Sequence, residues 1–188
     1  PILTRMPNGH DTCGYLFFPG CQMGASDPRM VMESYRFLLK TYPDTALMLG
    51  CCGAPADWAG NEPIHSGVID RIRSDWKRLG EPTAILACTM CKQMFQRYLP
   101  EIKTEFIYTL LEQQGYAPKG HSIVAASIFD PCAARHEEQL QTGSLLALSS
   151  RDVGFPAIYE ACCCACARGE PWKTRLCSRL IQEDGFTL

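Results

Sequence analysis

The sequence predicts an α/β protein of two similar lobes with mainly parallel sheets, related by internal duplication. Three observations lead there. Short apolar runs alternate with helical stretches. A cysteine follows the end of each run in turn. The cysteine spacing then recurs further along the chain at a constant offset.

Residues 14–18 predict a buried strand closed by a turn at Pro19-Gly20. Pro28, after Asp27, opens a helix with its body at 29–41, because proline tolerates the first helical turn. A second strand at 45–49 ends in Gly50, and the stretch 54–63 predicts a loop. A long helix follows to about Leu79 with Gly80 as its C-terminal cap. Residues 83–87 predict a third strand, 91–98 a short helix, and 106–114 a helix closed by Gly115. The second half predicts strands at 122–129 and 155–159 and helices at 137–146 and 172–182. Such alternation favours parallel sheets covered by helices. Cys21, Cys51, Cys88, Cys132 and Cys162 each follow the carboxyl end of a predicted strand. Sites collect in crevices at that edge of open α/β sheets.

The duplication rests on two matches. FFPGC at 17–21 parallels IFDPC at 128–132, and Cys51-Cys52 parallels Cys162-Cys163, both at an offset of 111 residues. In each half 29 residues separate the single cysteine from the pair. A shared offset predicts two lobes, 12–116 and 117–188.

Composition narrows the function. With 188 residues and 46% hydrophobic content, one fair-sized domain or two packed lobes can bury a core. Net charge is -2 and the basic residues are scattered, which argues against a nucleic-acid partner. No apolar run approaches the roughly 18 residues of a direct membrane span. The opening residues are polar and lack a signal-peptide pattern. A start at Pro1 is expected of a processed chain or a piece of a larger protein. The expected location is cytoplasmic, with membrane association only through a partner.

Twelve cysteines are the outstanding feature. They belong either to a disulfide framework or to metal ligation in a reducing compartment. Cys51-Cys52 and Cys162-Cys163-Cys164 are adjacent in sequence, an arrangement poorly suited to ordinary disulfides. The first half holds Cys21, then Cys51-Cys52-Gly53, then Cys88-Thr-Met-Cys91, with 35 residues between Cys52 and Cys88. A tetrahedral zinc ion needs four ligands. Five thiolates in three groups suit a larger object with several iron atoms, and soft thiolates select iron–sulfur, zinc or cuprous centres. Gly53 accommodates the bend that two committed neighbours impose.

This spacing resembles the cysteine-rich CCG domain: Cys, a stretch of about thirty residues or more, Cys-Cys-Gly, a further such stretch, and Cys-x-x-Cys. The FFPGC lead-in and the DPC of the second half look like that family's repeats. The family includes the B subunit of heterodisulfide reductase, the C subunit of anaerobic glycerol-3-phosphate dehydrogenase, and subunits linked to lactate, glycolate and succinate oxidation. The resemblance implies similar α/β lobes facing each other around the sites. It also implies a noncubane [4Fe-4S] cluster held by Cys21, Cys51, Cys52, Cys88 and Cys91 in this chain. In heterodisulfide reductase such clusters cleave a disulfide between two thiol coenzymes.

The second half departs from the pattern. Cys132, Cys162 and Cys163 match the first three positions, but Cys164 replaces the glycine and a second Cys-x-x-Cys falls near 199, past Leu188. Either the chain is a fragment, or a second iron–sulfur cluster has been lost or rebuilt with Cys164, Cys166 and Cys177. A dithiol, a disulfide or leftover ligands are the other readings.

Other residues carry less. Cys13 is a nearby thiol or a core residue. His10 and His136 are near cysteines in sequence; His65 and His121 offer less still. Asp130 is expected to cap a turn. Trp58, Trp76 and Trp172, and Met23, Met30, Met32, Met90 and Met94, are expected to pack the core or shield the centre. No glycine-rich nucleotide loop follows a strand, so flavin or nicotinamide would come from a partner. The expected partners are a redox protein or subunit carrying flavin or conventional iron–sulfur clusters, and a small disulfide substrate. The leading expectation is a heterodisulfide-reductase-like oxidoreductase component, active within a complex. The alternatives are an electron-transfer subunit of a small-hydroxy-acid dehydrogenase and a structural zinc module.

Overall fold

A computed structural model describes residues 3–6 and 11–114. The proposed second lobe, with Cys132, Cys162, Cys163, Cys164, Cys166 and Cys177, lies outside the described residues, as do His10, His121, His136, Asp130 and Trp172.

Strands β1 (Leu3–Arg5), β2 (Tyr15–Phe18), β3 (Thr45–Leu49), β4 (Thr83–Leu86) and β5 (Thr104–Phe106) form one sheet in the order β1-β3-β2-β4-β5. The last four are parallel, with Leu16 opposite Ala46 on one side and Ala84 on the other. Only β1 runs antiparallel, along the outer edge of β3. The α/β class and parallel sheet match the expectation from sequence.

Alternation along the strands divides the core into two layers. Leu16, Phe18, Met48, Ala84 and Leu86 face one side and pack with Ile69, Ile72 and Trp76 of α4 (Glu62–Arg78) and Met94 and Phe95 of α5 (Thr89–Tyr98). Phe17, Leu47 and Ile85 face the other. There they meet Val31, Tyr35 and Leu38 of α2 (Pro28–Thr41) and Ile107, Leu110 and Leu111 of α6 (Ile107–Gln113). Each fully buried large apolar side chain contributes about 1.5–3 kcal/mol relative to exposure, so the helices are held by their apolar faces rather than by propensity.

Helix ends follow local chemistry. The Asp27 carboxylate accepts from Arg29 N–H at 2.9 Å, and Pro28 occupies the first turn of α2. Asn61 Oδ1 accepts from Ile64 N–H at 3.3 Å at the start of α4. That helix ends where Gly80, at φ 87°, donates its N–H to Lys77 C=O and Glu81 donates to Trp76 C=O. The paired bonds satisfy carbonyls that helix termination leaves open.

Two short helices stand where a turn and a loop were expected. These are α1 (Gly20–Ser26) and α3 (Ala54–Trp58). Both directly follow strand ends that carry cysteines. Strands β1 and β5 also lie outside the expected strands, and α5 starts at Thr89 rather than Cys91.

Candidate metal centre

The sheet order itself creates a crevice. From β2 the chain crosses through α2 to β3 on one side, whereas from β4 it crosses through α5 to β5 on the other. Connections therefore diverge between the adjacent strands β2 and β4, opening a gap at their carboxyl ends. Cys21 follows β2, Cys51 and Cys52 follow β3, and Cys88 and Cys91 follow β4. Three strand ends thus deliver all five cysteines to one edge.

Their sulfurs form a connected chain. Cys21 Sγ lies 3.9 Å from Cys51 Sγ. Cys51 interacts in turn with Cys52, Cys52 with Cys91, and Cys91 with Cys88. Accessibility falls along it: Cys21 is exposed, Cys51 and Cys88 are half-buried, and Cys52 and Cys91 are buried. All five are free thiols.

Glycines permit the close approach. Gly20, at φ 79°, turns the chain from β2 into α1. A Cβ there would stand 3.0 Å from Cys91 Sγ and 3.4 Å from Cys88 Cβ. Gly53, at φ 88°, leads from the cysteine pair into α3, and its added Cβ would lie 3.1 Å from His65 Cδ2. Both positions need a backbone conformation that side chains resist.

The protons on these sulfurs are shared unevenly. Cys51 is held well below the ordinary thiol range by hydrogen bonds from Cys21 and then Cys52, with the Gly53 N–H assisting against burial. Cys21 is pushed up, first by its bond to Cys51, then by burial and the neighbouring sulfurs. Cys52 is raised by its bond to Cys51, against the pull of Cys91 and the Ala54 N–H. Cys91 is pushed well up by Cys52, Cys88 and burial. Five adjacent thiolates repel one another. Full ionisation therefore requires a bound cation, which takes the place of the protons. The donor set fits a metal–thiolate centre on that ground.

Around a single tetrahedral zinc, bonds of about 2.3 Å place sulfurs roughly 3.8 Å apart. Among the described residues, no three Cys, His, Asp or Glu side chains gather tightly enough to hold a single ion. Cys88 caps the start of α5, with Cys91 in its first turn.

Cys13 is not part of this group. It precedes β2, bonds through its N–H to Leu79 C=O at 2.9 Å, and interacts with Asp44 and Ala46 at the amino end of β3. Burial raises its thiol first, and Asp44 adds. Trp58, Met90 and Met94 pack with the core layer that contains Cys52 and Cys91, and Trp76 is buried there and donates to Pro82 C=O at 2.8 Å. Met23 belongs to the opposite layer. His65 received little weight from its sequence position, yet it is only 3% exposed and stands directly against Gly53. The available signal was periodicity: His65, Ile69, Ile72 and Trp76 form the buried stripe of α4.

A family model, the cysteine-rich domain CCG, matches residues 15–96, the segment carrying all five gathered cysteines. That segment is a CCG cysteine-rich domain. A cysteine-rich domain of this kind is consistent with metal or iron–sulfur binding and with an oxidoreductase-type domain. No curated protein and no solved structure matches the chain. Among the described residues, no helix is long and apolar enough to cross a membrane.

Proposed function

We propose that this chain is an iron–sulfur oxidoreductase component of the heterodisulfide-reductase kind, delivering electrons to a disulfide through a noncubane [4Fe-4S] cluster. The carrying observation is the five-thiol chain at the switch point, exposed at Cys21 and buried at Cys91. Cys21, Cys51, Cys52, Cys88 and Cys91 would hold the cluster. When bound, it would supply one-electron chemistry and affinity for sulfur. Five sulfurs spread along a chain suit several iron atoms better than one zinc.

The polypeptide's contribution is positional. Cys52 and Cys91 anchor the buried side, while the accessible Cys21 side leaves an approach for substrate. The backbone N–H groups of Gly53 and Ala54 donate to the sulfurs of Cys51 and Cys52. Such bonds stabilise sulfur-borne negative charge. The overall reaction consumes two electrons and two protons per disulfide and yields two thiols. The electrons come from a protein partner carrying flavin or conventional iron–sulfur clusters.

Iron and acid-labile sulfide per chain, measured after anaerobic purification alongside electron paramagnetic resonance, test this reading. About four of each would support one cluster in the first motif. Zinc without iron refutes it. Reduction of small disulfides by the chemically reduced, iron-loaded protein supports the disulfide role; fast electron exchange without disulfide turnover points to an electron-transfer subunit.

A further inference from the structure

His65 stands against Gly53, next in sequence to the cysteine pair. Its side chain is buried inside α4, and Nε2 has no hydrogen-bond partner among the described residues. A buried, unpaired polar group costs about 1–3 kcal/mol, so its retention calls for a compensating role. The imidazole is held from two sides. Its ring meets Tyr98 edge-on at 4.4 Å between centroids, and Cδ2, bonded to Nε2, faces Gly53. Tyr98 is itself fixed by donating its hydroxyl to Asp57 of α3 at 2.7 Å. The helix after the cysteine pair and the helix after Cys88 thus clamp one imidazole beside the Cys52-Gly53 turn.

We propose that His65 is a positioning residue of the centre, with Nε2–H as a buried donor to sulfur of the loaded site on the Cys52 side. This rests on the iron–sulfur reading above and adds a determinant of reduction potential. The Gly53 and Ala54 N–H groups already serve Cys51 and Cys52, and His65 supplies a side-chain donor from the opposite wall of that turn. Its absent Cβ makes Gly53 thin enough for the imidazole to approach.

The test uses the full chain as wild type, His65→Phe and His65→Gln, each loaded with iron and sulfide. Phenylalanine keeps a ring against Tyr98 but removes the donor, whereas glutamine returns an N–H donor. A donor to charged sulfur stabilises the reduced, more negative state. The reduction equilibrium of His65→Phe should therefore fall about tenfold or more, at least about 59 mV for one electron. The paramagnetic signal should shift with it, and His65→Gln should recover most of the change. Loss of iron from His65→Phe alone, with His65→Gln retaining it, also supports the donor. Equal iron, potential and spectrum in wild type and His65→Phe overturn the proposal. So do equal defects in both variants, which indicate packing alone, and strong nitrogen coupling showing direct ligation by imidazole. Absence of iron from wild type overturns the underlying iron–sulfur reading, a result distinct from all of these.

Discussion

Gly20→Ala tests the close packing of backbone and sulfur most directly. The residue sits at φ 79°, where a side chain costs about 1–2 kcal/mol. Its new methyl would stand 3.0 Å from Cys91 Sγ and 3.4 Å from Cys88 Cβ. Cys91 is 2% exposed and cannot swing into solvent. Overpacking of that kind adds about 1–3 kcal/mol, for a combined loss of about 2–5 kcal/mol. Thermal unfolding of the cluster-free protein should fall by at least about 4 °C, taking about 2–4 °C per kcal/mol for a chain of this length. Gly67→Ala supplies the contrast. Gly67 is inside α4 with nothing within 4 Å of an added Cβ, so alanine there should stabilise by roughly 0.4–1 kcal/mol. Iron retained after reconstitution gives a second readout, expected to drop for Gly20→Ala and stay level for Gly67→Ala. A Gly20→Ala protein within about 0.5 kcal/mol of wild type, with undiminished iron, would refute the reasoning.

Three further outcomes are expected. Cys91→Ser should lower reconstituted iron, while Cys13→Ser, at the amino end of the sheet, should leave it unchanged; metal analysis of both compares the two ends. Phe95→Ala should destabilise by about 3–5 kcal/mol in urea titrations, because Phe95 is 1% exposed and pairs with Phe18 at 5.4 Å between centroids. Arg73 beside Glu101, at 2.7 Å, holds that carboxyl below its ordinary value of 4.5. Folding then favours the ionised form: the gain is present above the ordinary value and is lost as pH falls through the folded one. Glu101→Gln should thus lose under about 1 kcal/mol at pH 7, and unfolding midpoints of variant and wild type should converge as pH falls below the ordinary carboxylate range.

Long elements and the first cysteine motif were legible for identifiable reasons. Asp27-Pro28 announces α2 by capping chemistry, and β3 is a continuous apolar run. The short helices α1 and α3 have too few residues to show a 3.6-residue period, and each contains glycine or proline. Strand β5 has 3 residues, and β1 is an edge strand containing Thr4 and Arg5. Spacing alone identified five cysteines because each group directly follows a strand. It could not place Cys13 relative to Cys21. The four-residue strand between them spans roughly 13 Å and carries them to opposite edges. His65 was legible only as the polar member of an apolar stripe; tertiary packing against Gly53 gives it meaning.

The switch-point location also dictates an order of maturation. The five thiols come from three separate crossovers and become neighbours only when β3, β2 and β4 stand side by side. Both core layers are built mainly from apolar side chains with no ligand role, among them Phe17, Leu38 and Ile72, all fully buried, although Cys52 and Cys91 belong to one of them. Zinc fingers, by contrast, fold around their ion. A core of the present kind is expected to close without a ligand, leaving the thiols gathered at one sheet edge with Cys21 exposed. If the proposed cluster is its ligand, preparing the protein without iron should accordingly give a folded, empty chain rather than an unfolded one.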